Sequence, residues 1–448
     1  MNRLHPAAPR PRIGIDFHTF GGIFQGSRSH ILGLYQEAIA LAPDLQFVFL
    51  VDDPERLGRE HPAFGAAHVE RVALPHGGGL ARLGWQLAAA RRRHRIDLLH
   101  VQYRLPLVPL GPCACTIHDT LFETHPQFFK PGFVRMSRLT SRLAMRQAAL
   151  LFTVSEFSRG EMARLYGVDP GRIAITHNAI DARRFHPVRA GDGQAGGNAA
   201  VRALGLVPGE YICTVGRLEP RKNHVNLLRA YAMLPAGRPP LVIVGQRDFD
   251  SEPIHAAARD LGLESEVRFL DDVPDDALPA LVRHCRVFAY PSFAEGFGMP
   301  VLEAMASGVP VVTSRTTSLP EVAGDAAVTT DPHVPADIAR ALGLLVFDET
   351  ARARHGRRTG PGHPVQLAGI GRRAGHPLSR AFLATLRSRR KRCRRCRFSS
   401  VPLRVRHARQ VRSSPWTRTV RNRSVNGNLL VIKNRYFQVL MFNSVCRN

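Results

Sequence analysis

The chain has 448 residues, enough for two or three domains of about 150 residues with buried cores, which excludes a peptide-sized or disulfide-dependent scaffold. Its seven Cys follow no regular spacing and read as reduced thiols, which points to the cytoplasm. The 62 Lys and Arg against 36 Asp and Glu give a formal charge of +26, a balance that ordinarily indicates nucleic acid, an anionic membrane surface or an acidic polymer as partner.

The charge is not spread evenly. Positions 351–448 hold 25 Lys and Arg and no Asp or Glu, which leaves residues 1–350 with 37 basic against 36 acidic side chains. At a frequency of about one acid in ten residues, 98 acid-free positions would arise by chance roughly twice in 100,000. The segment therefore follows another composition rule. One possibility is a polycation tail that binds nucleic acid non-specifically through phosphate. The other is out-of-frame translation of GC-rich DNA, which Trp416 and the apolar run Leu429 to Ile432 favour. No stretch approaches the roughly 18 apolar residues that span a bilayer, and no apolar region follows the basic N-terminal residues. The expectation is a chain neither exported nor threaded through a membrane.

Along the chain, short apolar runs alternate with helix-length segments. IGIDF at 13, QFVFLV at 46, HVERVAL at 68, DLLHVQ at 97, CACTIHD at 113, LLFTVS at 150 and RIAITH at 172 are too short and continuous for amphipathic helices. They predict buried parallel strands. Segments such as SHILGLYQEAIALA and SRLTSRLAMRQAA, with apolar residues three and four apart, predict the crossover helices. The Gly/Ala-rich VRAGDGQAGGNAA, 188–200, reads as a linker. A second series follows: YICTVG at 211, LVIVG at 241, EVRFL at 266, RVFAYPS at 286, VPVVTS at 309 and AAVTT at 326. The expected fold class is α/β, with two doubly wound parallel-sheet domains at 12–187 and 204–350, a linker at 188–203 and an atypical basic tail at 351–448. Two such domains face across a cleft, where ligands sit at the carboxyl ends of the strands.

Two constellations fall at such strand ends. YICTVG closes on Gly216, and the turn Arg217-Leu-Glu-Pro-Arg-Lys222-Asn223 sets two cations five positions apart ahead of a helix, where they can converge on a diphosphate; a solvated charged turn has the same spacing. In PSFAEGFGMPVLEAMASGVPVV, 291–312, Glu295 ends a strand. Gly296 and Gly298 permit close backbone approach, and Glu303 lies about two helical turns on. Two carboxylates so placed can take sugar hydroxyls, or can be a helix-terminal Glu and a surface Glu. Asp248-Phe-Asp250 looks like a metal-binding DxD but reads as a surface loop, Cys393-Arg-Arg-Cys396 lacks a partner set for zinc, and Ser155 reads as a helix N-cap.

The string EGFGMPVLEAMASGVPVV, with TVGRLEPRKN before it and SLPEVAGDAA after it, closely resembles the retaining, nucleotide-sugar-dependent glycosyltransferases of the GT-B fold. The resemblance runs from about residue 12 to about 350 and rests, in the first half, on HDTLFETHPQFF, TVSEFSR and HNAIDARRF. It implies that Arg217 and Lys222 bind the donor diphosphate. Glu295, with the backbone of Gly296, Phe297 and Gly298, meets the donor sugar; Glu303 meets the ribose; His118 approaches the sugar from the first domain. Gly22, in the turn from Gly21 to Gly26, and Gly216 then lie near the phosphates.

The implied activity is transfer of a hexose, mannose by the look of the first-domain phrases, from a GDP- or UDP-sugar to a glycan or lipid-linked acceptor in polysaccharide synthesis. It needs no metal and no other cofactor, and the protein would be cytoplasmic and peripheral at the inner membrane. A GT-B-fold epimerase or phosphorylase, and a non-catalytic nucleic-acid-binding protein acting through the tail, are the alternatives. Three departures from the family pattern stand out. Ala179 follows Asn178 where Gly is common, implying strain in a positive-φ turn; Asp271 replaces a frequent Gly; nothing after about Arg357 resembles the family's closing helices.

Overall fold

The computed structural model describes residues 10–359, apart from 22–25, 76–77, 109, 189–196 and 249. All thirteen runs read as strands are strands. In the first domain they are β1 (Arg12–Asp16), β2 (Gln46–Val51), β3 (Val69–Ala73), β4 (Leu98–Gln102), β5 (Cys113–Thr116), β6 (Leu150–Thr153) and β7 (Ile173–Ile175). The second domain has β8 (Ile212–Val215), β9 (Leu241–Val244), β10 (Val267–Leu270), β11 (Val287–Tyr290), β12 (Val311–Ser314) and β13 (Val328–Thr330). The sheets run β3-β2-β1-β4-β5-β6-β7 and β10-β9-β8-β11-β12-β13. Pairing within both is parallel, so each reverses its winding once, between β1 and β4 and between β8 and β11.

The strands are short and continuously apolar because both faces are covered. Ile212, Val287 and Ala289 pack on one side of the second sheet with Leu227 and Leu342. Their neighbours Cys213, Phe288 and Tyr290 pack on the other with Val301 and Met305. In the first sheet Phe47 and Phe49 face one layer, and Val48 and Leu50 the opposite one.

The helices that position the site are α1 (Gly26–Leu41), α2 (Pro131–Gln147), α3 (Glu156–Tyr166), α4 (His224–Ala232), α5 (Met299–Ala306), α6 (Leu319–Ala323), α7 (Pro335–Phe347) and α8 (Glu349–Thr359). Helix α2 starts six residues before the segment SRLTSRLAMRQAA, at Pro131, whose fixed φ suits the first helical position. Ser155 caps α3 as expected, its hydroxyl accepting from the Ser158 N–H at 3.1 Å. Both domains belong to one compact unit.

Three expectations need correction. Residues 197–203, read as linker, form a helix whose Val201 is buried in the second core; one apolar side chain among Gly and Ala is too little periodicity to be seen. Residues 351–359, assigned to the tail by composition, continue α8 onto the second domain, with Ala351 and Thr359 buried and His355 Nδ1 3.2 Å from the Ala326 carbonyl. Ala179 is not among the positive-φ residues, so the predicted strain does not arise. The readings placed on 360–448, the CxxC included, lie outside the described residues. Among the described residues no helix is long and apolar enough to cross a membrane.

Candidate active site

The carboxyl ends of the two sheets face one cavity of about 1240 Å³. It is lined by His118, Gly216, Arg217, Lys222, Glu295, Gly296, Phe297, Gly298 and Glu303 together. Of the site residues expected from sequence, Gly22 lies outside the described residues.

The floor is built at the switch point between β8 and β11. Beyond Gly216 the chain makes a short 3₁₀ turn over Pro220–Lys222 and enters α4 through Asn223, which holds φ +62°. That left-handed residue is buried, and its amide donates to the carbonyls of Pro291 at 2.9 Å and Pro332 at 2.7 Å, fastening the loop to the ends of β11 and β13. Gly245 is required beside it, since a Cβ there would stand 2.1 Å from the Gly216 carbonyl oxygen.

Lys222 Nζ donates to Glu295 Oε1 at 2.8 Å and to the Tyr290 hydroxyl at 2.6 Å. Arg221 pairs with the other Glu295 oxygen at 2.8 Å and with Glu219 at 2.5 Å. Burial alone would raise the Glu295 pKa, but the charges of Arg221 and Lys222 and their hydrogen bonds hold it down to about 2. Burial lowers the pKa of Lys222 against the pull of Glu295. Burial also opposes the Arg221 charge, and there Glu295 and Glu219 outweigh it and raise the pKa. Arg217 does not join this group; its guanidinium pairs with Asp248. The expected convergence of Arg217 and Lys222 is therefore a wall of three cations. Sequence reading passed over Arg221, the middle one, although it stands next to Lys222 in the same turn.

Above this floor the loop 295–298 presents backbone. Ser318 donates to the carbonyls of Glu295 at 2.8 Å and Phe297 at 3.0 Å, and Ser155 to that of Gly296 at 2.7 Å. With the carbonyls so tied, the N–H groups of Gly296, Phe297 and Gly298 have no acceptor among the described residues. They lie at the mouth of α5, an arrangement that suits phosphate or hydroxyl oxygens. Gly298 holds φ +103°. Gly296 is glycine for a different reason: a Cβ there would lie 2.7 Å from Asp119 Cβ and 3.0 Å from the His118 carbonyl, on the opposite domain. The carboxylate of Glu303, on α5, has no hydrogen bond or ion pair among the described residues, and burial raises its pKa to about 7 against the pull of Arg184.

His118 arrives from the end of β5. Its Nε2 is 2.9 Å from Gln102 Oε1, while the Gln102 amide nitrogen donates to Thr19 Oγ1 at 3.1 Å. The ring therefore carries its proton on Nε2, and Nδ1 is an acceptor. Burial, with His30 and His100 nearby, lowers its pKa well below the ordinary value, so it is neutral.

The domains are docked by polar contacts that the sequence did not announce. Glu321, on α6, accepts from the backbone N–H groups of Glu156 at 2.9 Å and Phe157 at 3.1 Å, the first turn of α3. Ser155 does double duty as cap and as donor across the cleft.

Comparison with known proteins follows this division. Residues 25–184 match Glycosyltransferase Family 4, and residues 204–359 match Glycosyl transferases group 1. The chain is 37% identical over 252 residues to O-antigen chain mannosyltransferase B of Escherichia coli, covering 55% of this chain and 65% of that protein. It is 39% identical over 243 residues to the serotype-specific mannosyltransferase WbdA of Escherichia coli, covering 53% of this chain and 29% of that one. The chain thus spans less than two thirds of the length of either relative. In structure it is similar to Anabaena Alr3699/HepE, solved in complex with UDP and glucose. There the TM-score is 0.65 at 19% identity, covering 85% of this chain and 100% of that one.

Proposed function

We propose, for a chain that belongs to the GT-B nucleotide-sugar glycosyltransferases and resembles bacterial mannosyltransferases, that it transfers a hexose from a nucleoside diphosphate sugar to a hydroxyl of a glycan or lipid-linked acceptor in polysaccharide synthesis, with retention at C1. Mannose is the favoured sugar, and the names of the Escherichia coli relatives support it. The observation that carries the reading is the cavity in which Glu295, Arg221, Lys222, the free N–H groups of 296–298 and His118 meet.

In this reading the bond between C1 and the diphosphate oxygen breaks, and the acceptor oxygen bonds to C1 from the same face. The departing diphosphate oxygen takes the acceptor's proton. Arg217, Lys222 and the backbone N–H groups meet the negative charge growing on the leaving group. Glu295 faces the positive charge developing at C1, His118 Nδ1 accepts from a sugar hydroxyl, and Glu303 takes the ribose hydroxyls. Gly216 allows the phosphates close to the backbone. The three cations perform the task a divalent metal performs elsewhere, so the transfer is metal-independent, and the protein works in the cytoplasm at the inner membrane face.

Donor hydrolysis measured across GDP- and UDP-sugars, with and without EDTA, tests the reading. The expected result is hydrolysis of GDP-mannose that EDTA leaves unchanged. Failure to bind or hydrolyse any nucleotide sugar would overturn it.

A further inference from the structure

Apart from His118, the proposed chemistry uses the second domain's side of the cavity and leaves a cation on the first domain's side without a task. Strand β4 ends at Gln102, and Tyr103 follows with φ +64°, a conformation that a bulky residue keeps only where its surroundings enforce it. The Tyr103 N–H donates to the Thr116 carbonyl at 2.8 Å, that of Arg104 to the Gln102 carbonyl at 2.8 Å, and the Tyr103 ring lies 5.0 Å from that of His118. This tight turn sits at the switch point between β1 and β4 and sets Arg104 in the wall of the interdomain cavity.

Arg104 is half-buried, and its guanidinium has no hydrogen bond or ion pair among the described residues. The charged neighbour that bears on it is a second cation, Arg82. Arg82 is itself engaged, by the buried Asp16, which also stands 3.2 Å from His18 Nδ1. The group formed by Asp16, Arg82 and Arg104 thus keeps an unbalanced positive charge in a desolvated wall, where an arriving anion would be strongly held. Arg217, Arg221 and Lys222 belong to the opposite switch point and are not among the charges acting on Arg104. Phe129 and Phe133, the latter exposed on α2, stack with ring centroids 5.7 Å apart and line the same cavity.

We propose that Arg104, with Arg82 beside it, binds a phosphate ester or diphosphate on the acceptor, so that the protein selects a charged acceptor. The inference rests on the glycosyltransfer reading for there being an acceptor at all. A soluble sugar phosphate and a phosphate joining sugar to lipid offer the same chemistry, and the apolar ring pair favours an alkylated one.

The test is calorimetry on the full-length protein, nucleotide-free and saturated with GDP or UDP, titrated with α-mannose 1-phosphate, methyl α-mannoside and decyl α-mannosyl phosphate. With the nucleotide site filled, the sugar phosphate should bind about ten-fold or more tightly than the methyl glycoside. Arg104→Gln should abolish that preference with nucleotide affinity and melting temperature unchanged, and Arg104→Lys should keep part of it. Tighter binding of the decyl ester than of the free sugar phosphate identifies a lipid-linked source, and equal binding a soluble one. Equal affinity for charged and uncharged sugars, or a preference that survives Arg104→Gln, overturns the proposal. A protein that binds no nucleotide, yet binds sugar phosphate in an Arg104-dependent way, would sink the glycosyltransfer reading and leave the anion site standing.

Discussion

Lys222 and Glu295 stand 2.8 Å apart, so the cation expected on the diphosphate and the carboxylate expected on the sugar are each other's partner before any donor arrives. Arg221 and Glu219 complete a group of two cations and two carboxylates. Glu295→Gln removes one charge from it and leaves Lys222 and Arg221 sharing Glu219, and breaking a buried pair from one side costs about 3 to 5 kcal/mol. The expected outcome is a lower melting temperature and a strongly reduced kcat, with GDP affinity equal or tighter because Lys222 is released toward the phosphates. Weaker GDP binding in this variant would place Glu295 on the nucleotide.

Arg217 and Arg221 should separate cleanly. The Arg217 side chain is 35% exposed and paired with Asp248, whereas that of Arg221 is 14% exposed and bridges Glu219 and Glu295. Arg217→Ala should weaken nucleotide diphosphate binding by about 10- to 150-fold, the loss of one charge-assisted hydrogen bond, at nearly constant stability. Arg221→Ala should lower stability first. Melting curves alongside calorimetry check both, and an Arg217→Ala protein with unchanged diphosphate affinity would remove Arg217 from the site.

The strands were legible because parallel strands buried on both faces read as unbroken apolar runs, and Ile212, Phe288 and Val311 show nothing polar to either layer. Glu303 and Gly298 were legible through a local motif. Arg104 was not, because only the winding reversal between β1 and β4 brings it to the cavity and no spacing in the chain marks it. Asn223 was visible as a letter, but its task, holding two distant carbonyls from a left-handed backbone, depends on β11 and β13 being beside it. Composition misled at 351–359, where basic side chains conceal a helix seated through Ala351 and Thr359.

Glu321 makes a prediction about docking. Its carboxylate holds two N–H groups at the start of α3, where the helix dipole adds to the attraction. Glu321→Ala should weaken interdomain docking by about 1.5 to 3 kcal/mol. Burial alone would raise the Glu321 pKa, but His177 and the two N–H groups bring it below its ordinary value. Its stabilising contribution is therefore present above the ordinary carboxylate range and lost as pH falls through the lower folded value. Wild type and Glu321→Ala should differ in melting temperature at pH 7 and converge in acid; a constant difference down to low pH would show that the carboxylate's charge is not what docks the domains.

Glu303 has the opposite sign. Burial raises its pKa to about 7, so the carboxylate, the form that accepts from two ribose hydroxyls, forms only as pH rises through that value. Donor binding should therefore tighten by about ten-fold between pH 6 and pH 8, as the ionised fraction climbs from roughly a tenth to nine tenths. Because the donor binds the ionised form better, binding near pH 7 should release a proton, visible as a dependence of the calorimetric enthalpy on the buffer's ionisation heat. The same raised pKa makes ionisation unfavourable to the fold: this residue's contribution is most stabilising below the ordinary value of 4.5 and declines as pH rises toward the folded value, because the native state keeps the proton that the unfolded chain has lost. Glu303→Gln, neutral at every pH, should bind donor more weakly at pH 8, match the wild type near pH 6 and release no proton. A Gln variant that retained the wild-type pH profile would assign the titration to another group and remove Glu303 from the nucleotide.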